Sequence, residues 1–238
     1  MLRALAGSGD SSGVSEVART TGLAKSTCSR ILVSLDELGI VQRVDEAGRY
    51  VIGPGLRALA ATGAPAGTLR DLARPYLQEL AGRLGESASL AVMDGGEGLY
   101  VTQVAAPGPV QVTDWTGQRF PLHTIAAGQA LMGSWTDERV ATYAVDGMAG
   151  FTKATVTTLV GLRQRVGEVR RQGVAWTVGE FSEEITGVAA PVREADGEVV
   201  ASVSVYGPGW RFPGDANITE IERVVRETAD RVGALLGG

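Results

Sequence analysis

Apolar residues in the stretch VSEVARTTGLAKSTCSRILVSLDELGIVQRVDEAGRYVI, residues 14–52, fall into two short helical registers and then into strand-like alternation. Ser15 is placed to cap a helix running from Glu16 to Thr21, because a hydroxyl there can accept an orphan amide two or three residues on. Gly22 offers the left-handed turn that ends it. A second helix follows from Leu23–Ala24 to Leu38, stopped by Gly39. Its residues Cys28, Ile31, Leu32, Leu35 and Leu38 recur at spacings of three and four, which predicts one buried stripe. Ile40 to Val44 and Arg49 to Ile52 then predict two strands, joined by the loop Asp45-Glu46-Ala47-Gly48. Ahead of all this, residues 2–6 read as the end of a first helix, followed by a polar loop to Gly13.

Later the texture changes. Residues 53–68, GPGLRALAATGAPAGT, predict a helical linker broken near Gly63 to Gly67. Leu69 to Leu84 is a helix in which Pro75 is expected to cause a bend or a break. SLAVMDGGEGLYVTQV predicts a hairpin around Asp94-Gly95-Gly96, and VQVTDW a third strand. Ala126 to Trp135, Asp137 to Val145 and Thr158 to Gln172 predict helices. VAWTV and TGVAAPVREADGEVVASVSVYG supply three more strands, the last two joined through Glu194 to Gly197, and Ile218 to Leu236 closes the chain as an amphipathic helix. Strands gathered in an antiparallel sheet with helices packed beside it make an α+β domain. The expected boundaries are 1–54 for the winged helix-turn-helix, 55–68 for the linker and 69–238 for the second domain.

Composition narrows the options. Of 238 residues, 44% are hydrophobic and 21% charged, enough for packed cores. No run approaches the roughly 18 apolar residues of a membrane span, and the first residues lack a signal-peptide core, so a cytoplasmic chain with no membrane partner is expected. The single cysteine, Cys28, excludes an internal disulfide framework and multi-cysteine metal sites. It falls on the apolar stripe and reads as a buried thiol. The net charge is −5, unhelpful for binding nucleic acid in bulk. The balance is +1 over residues 1–63, however, with seven Lys or Arg against six Asp or Glu, and −6 over the rest. A DNA role therefore rests on where the N-terminal cations lie.

Two helices around a glycine turn, then a charge-tipped hairpin, suit a winged helix-turn-helix, whose second helix enters the major groove. Its N-terminal half reaches base edges, so Ser26, Thr27 and Arg30 are the expected readers, Arg30 as a fork onto guanine. Ser29 lies on the same polar side. Lys25, Arg43 and Arg49 suit phosphates, which set affinity more than sequence. The plainer alternative is a three-helix packing module with solvated charges.

In the second domain the sole histidine, His123, has no histidine partner and is expected to orient its loop rather than do chemistry. Thr124 to Gly128 opens a helix whose amides could hold an anionic or carbonyl-bearing ligand. Of Glu180, Glu183 and Glu184, one could turn inward. Ser202, Ser204 and Tyr206 alternate along one strand and share a face, lining a pocket or meeting water.

The segments SEVARTTGLAKSTCSRILVSLDELGIVQR, GRYVIGPGL, GQRFPLHTIAAGQALM and GVAAPVREADGEVVASVSVYGP, in this order, resemble the IclR family of bacterial transcription regulators. The resemblance implies a winged helix-turn-helix, a linker helix and a GAF-like effector domain. It also implies a homodimer or dimer of dimers on a palindromic double-stranded DNA operator, with a small organic acid or aromatic as effector. Carried over by position, Val112 and Phe120 would be apolar walls of the pocket and the Ala126 and Ala127 amides its donors. Glu180 would be its acidic or polar position, with Ser204 and Tyr206 facing the site. The sequence departs from the family's frequent lysine at Gln129, Pro-Gly at Glu183-Glu184, and Cys or Ser at Gly187. No cofactor, metal or catalytic residue is expected. The rival reading, an enzyme acting on a small carbonyl or carboxylate compound, lacks a nucleophile–base pair or phosphate loop. A DNA-bound protein without a ligand is a third.

Overall fold

The computed structural model describes residues 1–6, 11–45, 48–56, 69–106, 112–145 and 147–236. The chain divides into two compact units, Met1–Ala66 and Gly67–Gly238.

In the first unit α1 (Leu2–Ala6), α2 (Val14–Thr21) and α3 (Lys25–Glu37) precede a three-stranded antiparallel sheet. Its strands are β1 (Ser12–Gly13), β2 (Val41–Arg43) and β3 (Arg49–Ile52), in the order β1-β3-β2. The two-residue β1, which pairs Ser12 with Tyr50, has no pattern long enough to read in sequence. α2 starts two residues earlier than expected: Gly13 is the cap residue, without a side-chain cap bond, and Ser15 lies inside the helix. Gly22 ends it in the left-handed conformation as predicted. Leu5, Val17, Cys28, Leu32, Val41 and Tyr50 form the core.

The predicted stripe is narrower than its five members. Cys28 and Leu32 are fully buried and Leu35 packs beside them, while Ile31 is 38% and Leu38 68% exposed. At about 100° per residue, Ile31 and Leu38 lie roughly 60° and 80° from Cys28 around the helix, at the edge of a face that wide.

Gly53, placed in the linker by sequence, instead packs back onto this unit, donating from its amide to the Ile40 carbonyl (2.9 Å). A Cβ on Gly53 would stand 2.4 Å from the Gly39 carbonyl oxygen, so only glycine fits. Residues 54–56 are helical; the expected break at Gly63 to Gly67 lies outside the described residues.

The second unit opens with α4 (Leu69–Leu84), which runs unbroken through Pro75. Pro75 and Asp71, four residues before it, both lie on the exposed side. A carbonyl displaced by the ring there meets water rather than core. A six-stranded antiparallel sheet follows, built from β4 (Ser87–Asp94), β5 (Glu97–Val104), β6 (Arg119–Phe120), β7 (Ala175–Val178), β8 (Ile185–Arg193) and β9 (Val199–Pro208). Its order is β6-β5-β4-β9-β8-β7. Val112 to Trp115, expected within a strand, are not in one; Val110 and Gln111 lie outside the described residues. The neighbouring strand is β6, which pairs Phe120 with Gly98.

The remaining elements are α5 (Ala126–Leu131), a 3-10 turn at Met132–Ser134, α6 (Asp137–Ala144), α7 (Leu159–Gln172) and α8 (Ile218–Ala234). Side-chain alternation explains the layers. Ala201, Val203 and Val205 of β9, with Val188, Ala190 and Val192 of β8, face a core completed by α4 and α8. The intervening Ala189 and Tyr206 join Ala126, Ala127 and Ala130 of α5 on the opposite face. A third cluster packs α5, α6 and α7 outside that layer. Both faces of the central strands are thus covered, and Ser202 and Ser204, which could have met water, are buried.

Candidate functional site

Two sites emerge, one in each unit. In the first, burial of Cys28 and Leu32 fixes which way α3 turns its polar side. Lys25, Ser26, Thr27 and Arg30 are exposed, and Ser29 is half-buried. The readers expected from sequence therefore stand together on one open face. Cys28 is fully buried, with its sulfur 3.7 Å from the Thr21 hydroxyl.

The two wing arginines are less available than sequence implied. The Arg49 guanidinium donates to Ser11 through Nε to the hydroxyl (2.8 Å) and through Nη2 to the carbonyl. Arg43 donates from Nε to the Asp45 carbonyl (3.1 Å), and its amide donates to Asp36 Oδ1 (3.1 Å). Asp45 in turn accepts from the Arg49 amide (2.9 Å). These bonds hold the hairpin in shape. Both side chains remain exposed, so a phosphate contact competes with or adds to an existing bond.

In the second unit a cavity of about 480 Å³ lies between the sheet and α5. Val112, Phe120, Ala126, Ala127, Glu180, Ser204 and Tyr206, the seven residues the resemblance assigned to a pocket, all line it. Aromatic rings make much of its wall: Tyr100 lies 4.6 Å from Phe120 and 6.0 Å from Tyr206, centroid to centroid. Trp115 and Phe181 meet edge to face at 6.3 Å, and exposed Trp210 also lines the cavity.

Several polar groups of this wall are bonded within the protein. The Ala126 amide, expected to await a ligand, already donates to the Thr177 hydroxyl (3.1 Å). Ser204 shares a hydrogen bond with Ser89 (2.7 Å). The Tyr206 hydroxyl donates to Gln103 Oε1 (2.5 Å). Burial pushes the Tyr100 and Tyr206 phenols well above the ordinary tyrosine range, so both remain protonated donors. Ser202 shares the strand face but does not line the cavity, and its hydroxyl has no partner among the described residues.

One acid of the expected three does turn inward. Glu183 and Glu184 are exposed, whereas Glu180 is 2% exposed. Its backbone carbonyl accepts from the Thr155 hydroxyl (2.6 Å), and the preceding Gly179 carbonyl accepts from Thr152 (2.6 Å). Its carboxylate accepts from Arg165 Nη2 at Oε1 (2.8 Å) and from Gln129 Nε2 at Oε2 (3.1 Å). Burial raises the Glu180 pKa above 4.5, with Arg165 and Gln129 pulling the other way. A native pKa above the unfolded value means the folded state holds this proton more tightly. The associated stability is present at low pH and lost as pH rises through the raised value. Glu180→Gln mimics the protonated form. Its melting temperature is expected to equal or exceed the wild type's at pH 7–8, with the advantage shrinking towards pH 5. Thermal melts across that range check it, and a variant that falls further below the wild type as pH rises would contradict the sign.

His123 takes the orienting role read from sequence. Its Nε2 bonds the Ala149 carbonyl (3.0 Å), which requires the proton there, and Nδ1 then accepts from the Tyr143 hydroxyl (2.9 Å). Gln129 binds the same loop by donating to the His123 carbonyl (3.1 Å).

Sequence reasoning missed Gln103, Thr177, Arg165 and the Trp115–Phe181 pair. Gln103 joins Tyr206 to the segment after β5, accepting from the Trp115 amide (3.0 Å) and donating to the Thr113 carbonyl (3.2 Å). A polar residue in the otherwise buried stretch of β5 was its only available signal. No group of three or more potential metal ligands occurs among the described residues. No helix among them is long and apolar enough to cross a membrane.

Comparison with known proteins adds the following. Residues 1–45 match the family model described as the IclR helix-turn-helix domain, and residues 66–234 match that described as the bacterial transcriptional regulator IclR C-terminal. The chain is 35% identical over 199 residues to an HTH-type transcriptional regulator of Mycobacterium tuberculosis, covering 84% of this chain and 76% of the relative. It is 34% identical over 239 residues to the glycerol operon regulatory protein of Streptomyces griseus, covering 100% and 93%. The crystal structure of IclR from Thermotoga maritima superposes with a TM-score of 0.67 at 26% identity, covering 100% and 96%.

Proposed function

The chain belongs to the IclR family of bacterial transcriptional regulators, and on that premise we propose that it is a ligand-responsive regulator of a catabolic or metabolic operon, its operator read by α3 and its activity controlled through the cavity of the second unit. The observation that carries this reading is the joint presence of an open polar face on α3 and an aromatic-lined cavity in the same chain. Lys25, Ser26, Thr27, Ser29 and Arg30, with wing residues Arg43 and Arg49, meet DNA. Val112, Phe120, Ala126, Ala127, Glu180, Ser204 and Tyr206 surround the effector, a small aromatic or related compound.

One winged module reads only a half-site, so a homodimer or dimer of dimers on a palindromic operator follows, in the cytoplasm. The boundaries proposed are 1–54 for the DNA-binding domain, 55–68 for the linker and 69–238 for the effector domain. Effector binding shifts an equilibrium between operator-binding and non-binding forms. A coupling of about 1–3 kcal/mol changes operator affinity roughly 5- to 150-fold.

Selection of random duplexes by the full-length chain is the test, with an inverted repeat as the expected winner. Enrichment of unrelated sequences would refute the reading. Lys25→Ala should weaken selected and unselected DNA alike, and flatten the slope of log affinity against log salt by about two for a dimer, one per half-site. An unchanged slope would remove Lys25 from the phosphate contacts.

A further inference from the structure

The cavity is unevenly signed. Glu180 and Glu184 line it against one cation, Arg119, and Arg119 is paired with Asp94. Arg165 holds Glu180 but is not among the residues lining the cavity. A carboxylate brought into this space therefore meets a buried anion, and among the described residues the lining holds no cation that is not already ion-paired. Three side-chain donors near the cavity are also committed. Gln129 gives its amide protons to the His123 carbonyl and Glu180, Tyr206 donates to Gln103, and Thr124 donates to the Pro121 carbonyl.

Glu180 itself keeps capacity to accept. Each Glu180 oxygen takes one bond from the protein, and a carboxylate oxygen has room for two. We propose that the cavity selects an uncharged aromatic compound whose polar end donates a hydrogen bond to the Glu180 carboxylate, and rejects the matching aromatic carboxylate. The inference rests on the reading of this cavity as the effector site. A volume near 480 Å³ admits a substituted aromatic compound, flanked by Tyr100, Phe120 and Tyr206. Around the buried Glu180 like charge is penalised more than in water, whereas a neutral donor costs less to bring in.

Two matched pairs test it on the full-length protein: benzamide against benzoate, and phenylacetamide against phenylacetate. Calorimetric titration and thermal shift are read for each. The amides are expected to bind at least tenfold more tightly than their carboxylates, about 1.4 kcal/mol by the standard conversion. Glu180→Gln should narrow that ratio, because its amide presents a donor to a carboxylate. Carboxylates that bind as well as the amides, or a ratio unchanged in a folded Glu180→Gln protein, would overturn the head-group assignment and leave the effector reading standing. The wild-type ratio decides the matter alone if the variant does not fold. Absence of saturable binding by all four compounds would overturn the assignment of such a ligand and leave the effector reading standing.

Discussion

Arg30→Ala is expected to abolish selective operator binding while leaving binding in the C-terminal cavity unchanged. Arg30 is exposed on the face of α3 that Cys28 and Leu32, by being buried, turn outward. A guanidinium forked onto one guanine contributes about 1–3 kcal/mol of discrimination. Two half-sites double that to roughly 2–6 kcal/mol if the sites are independent, which corresponds to a loss of tens- to ten-thousandfold at about 1.4 kcal/mol per decade. Stability should hardly change, because an exposed side chain away from caps and networks shifts it by about 0.5 kcal/mol or less. The measurement is a gel shift with the selected operator, competed against unrelated duplex. Affinity for the operator should fall to that for the competitor. Selective shifts that survive the substitution would transfer the reading role to Ser26 and Thr27.

The N-terminal unit was legible because one helical period carries most of its information. Spacings of three and four in α3 identified Cys28 and Leu32 as core and left Arg30 outside. The same pattern over-counted at Ile31 and Leu38, since periodicity finds a stripe but not its width. β1 and the folding back of Gly53 onto Gly39 were not legible. The first is two residues long, and the second is a backbone approach that leaves no apolar signature.

The cavity was legible in its parts but not in its chemistry. Alternation in β9 placed Ser204 and Tyr206 on one face, and the resemblance brought together residues from distant segments. That only Glu180 of three neighbouring acids turns inward depends on Gln129, 51 positions away, and on threonines 152 and 155 in another loop. Local sequence cannot express such pairings. The same limit explains why the Ala126 amide looked available: its partner, Thr177, also lies 51 positions away.

Gly128→Ala is expected to destabilise the C-terminal unit and remove ligand binding, even though alanine is the better helix former. Inside α5 the exchange gains about 1 kcal/mol in propensity. Against that, the added Cβ would stand 2.2 Å from the Leu122 carbonyl oxygen and 2.5 Å from its Cα. Both are backbone atoms, so no rotamer change relieves the overlap. Leu122 is fully buried, and the next residue is tied on both ring nitrogens to Tyr143 and Ala149 and through its carbonyl to Gln129. Moving the loop therefore breaks the bonds that also position Glu180, while moving α5 displaces Ala126 and Ala127 from the cavity wall. Overpacking of this kind costs about 1–3 kcal/mol and occasionally more, and because an approach of 2.2 Å to tethered backbone belongs at the upper end, the net loss should reach about 2 kcal/mol. For a unit of this size each kcal/mol lowers the melting temperature by roughly 2–4 °C, so a fall of about 4–8 °C is expected by calorimetry, together with loss of benzamide binding. An equal or higher melting temperature would mean that the Leu122 loop yields and helix propensity decides, and the rigid wall on which the cavity argument depends would have to be abandoned.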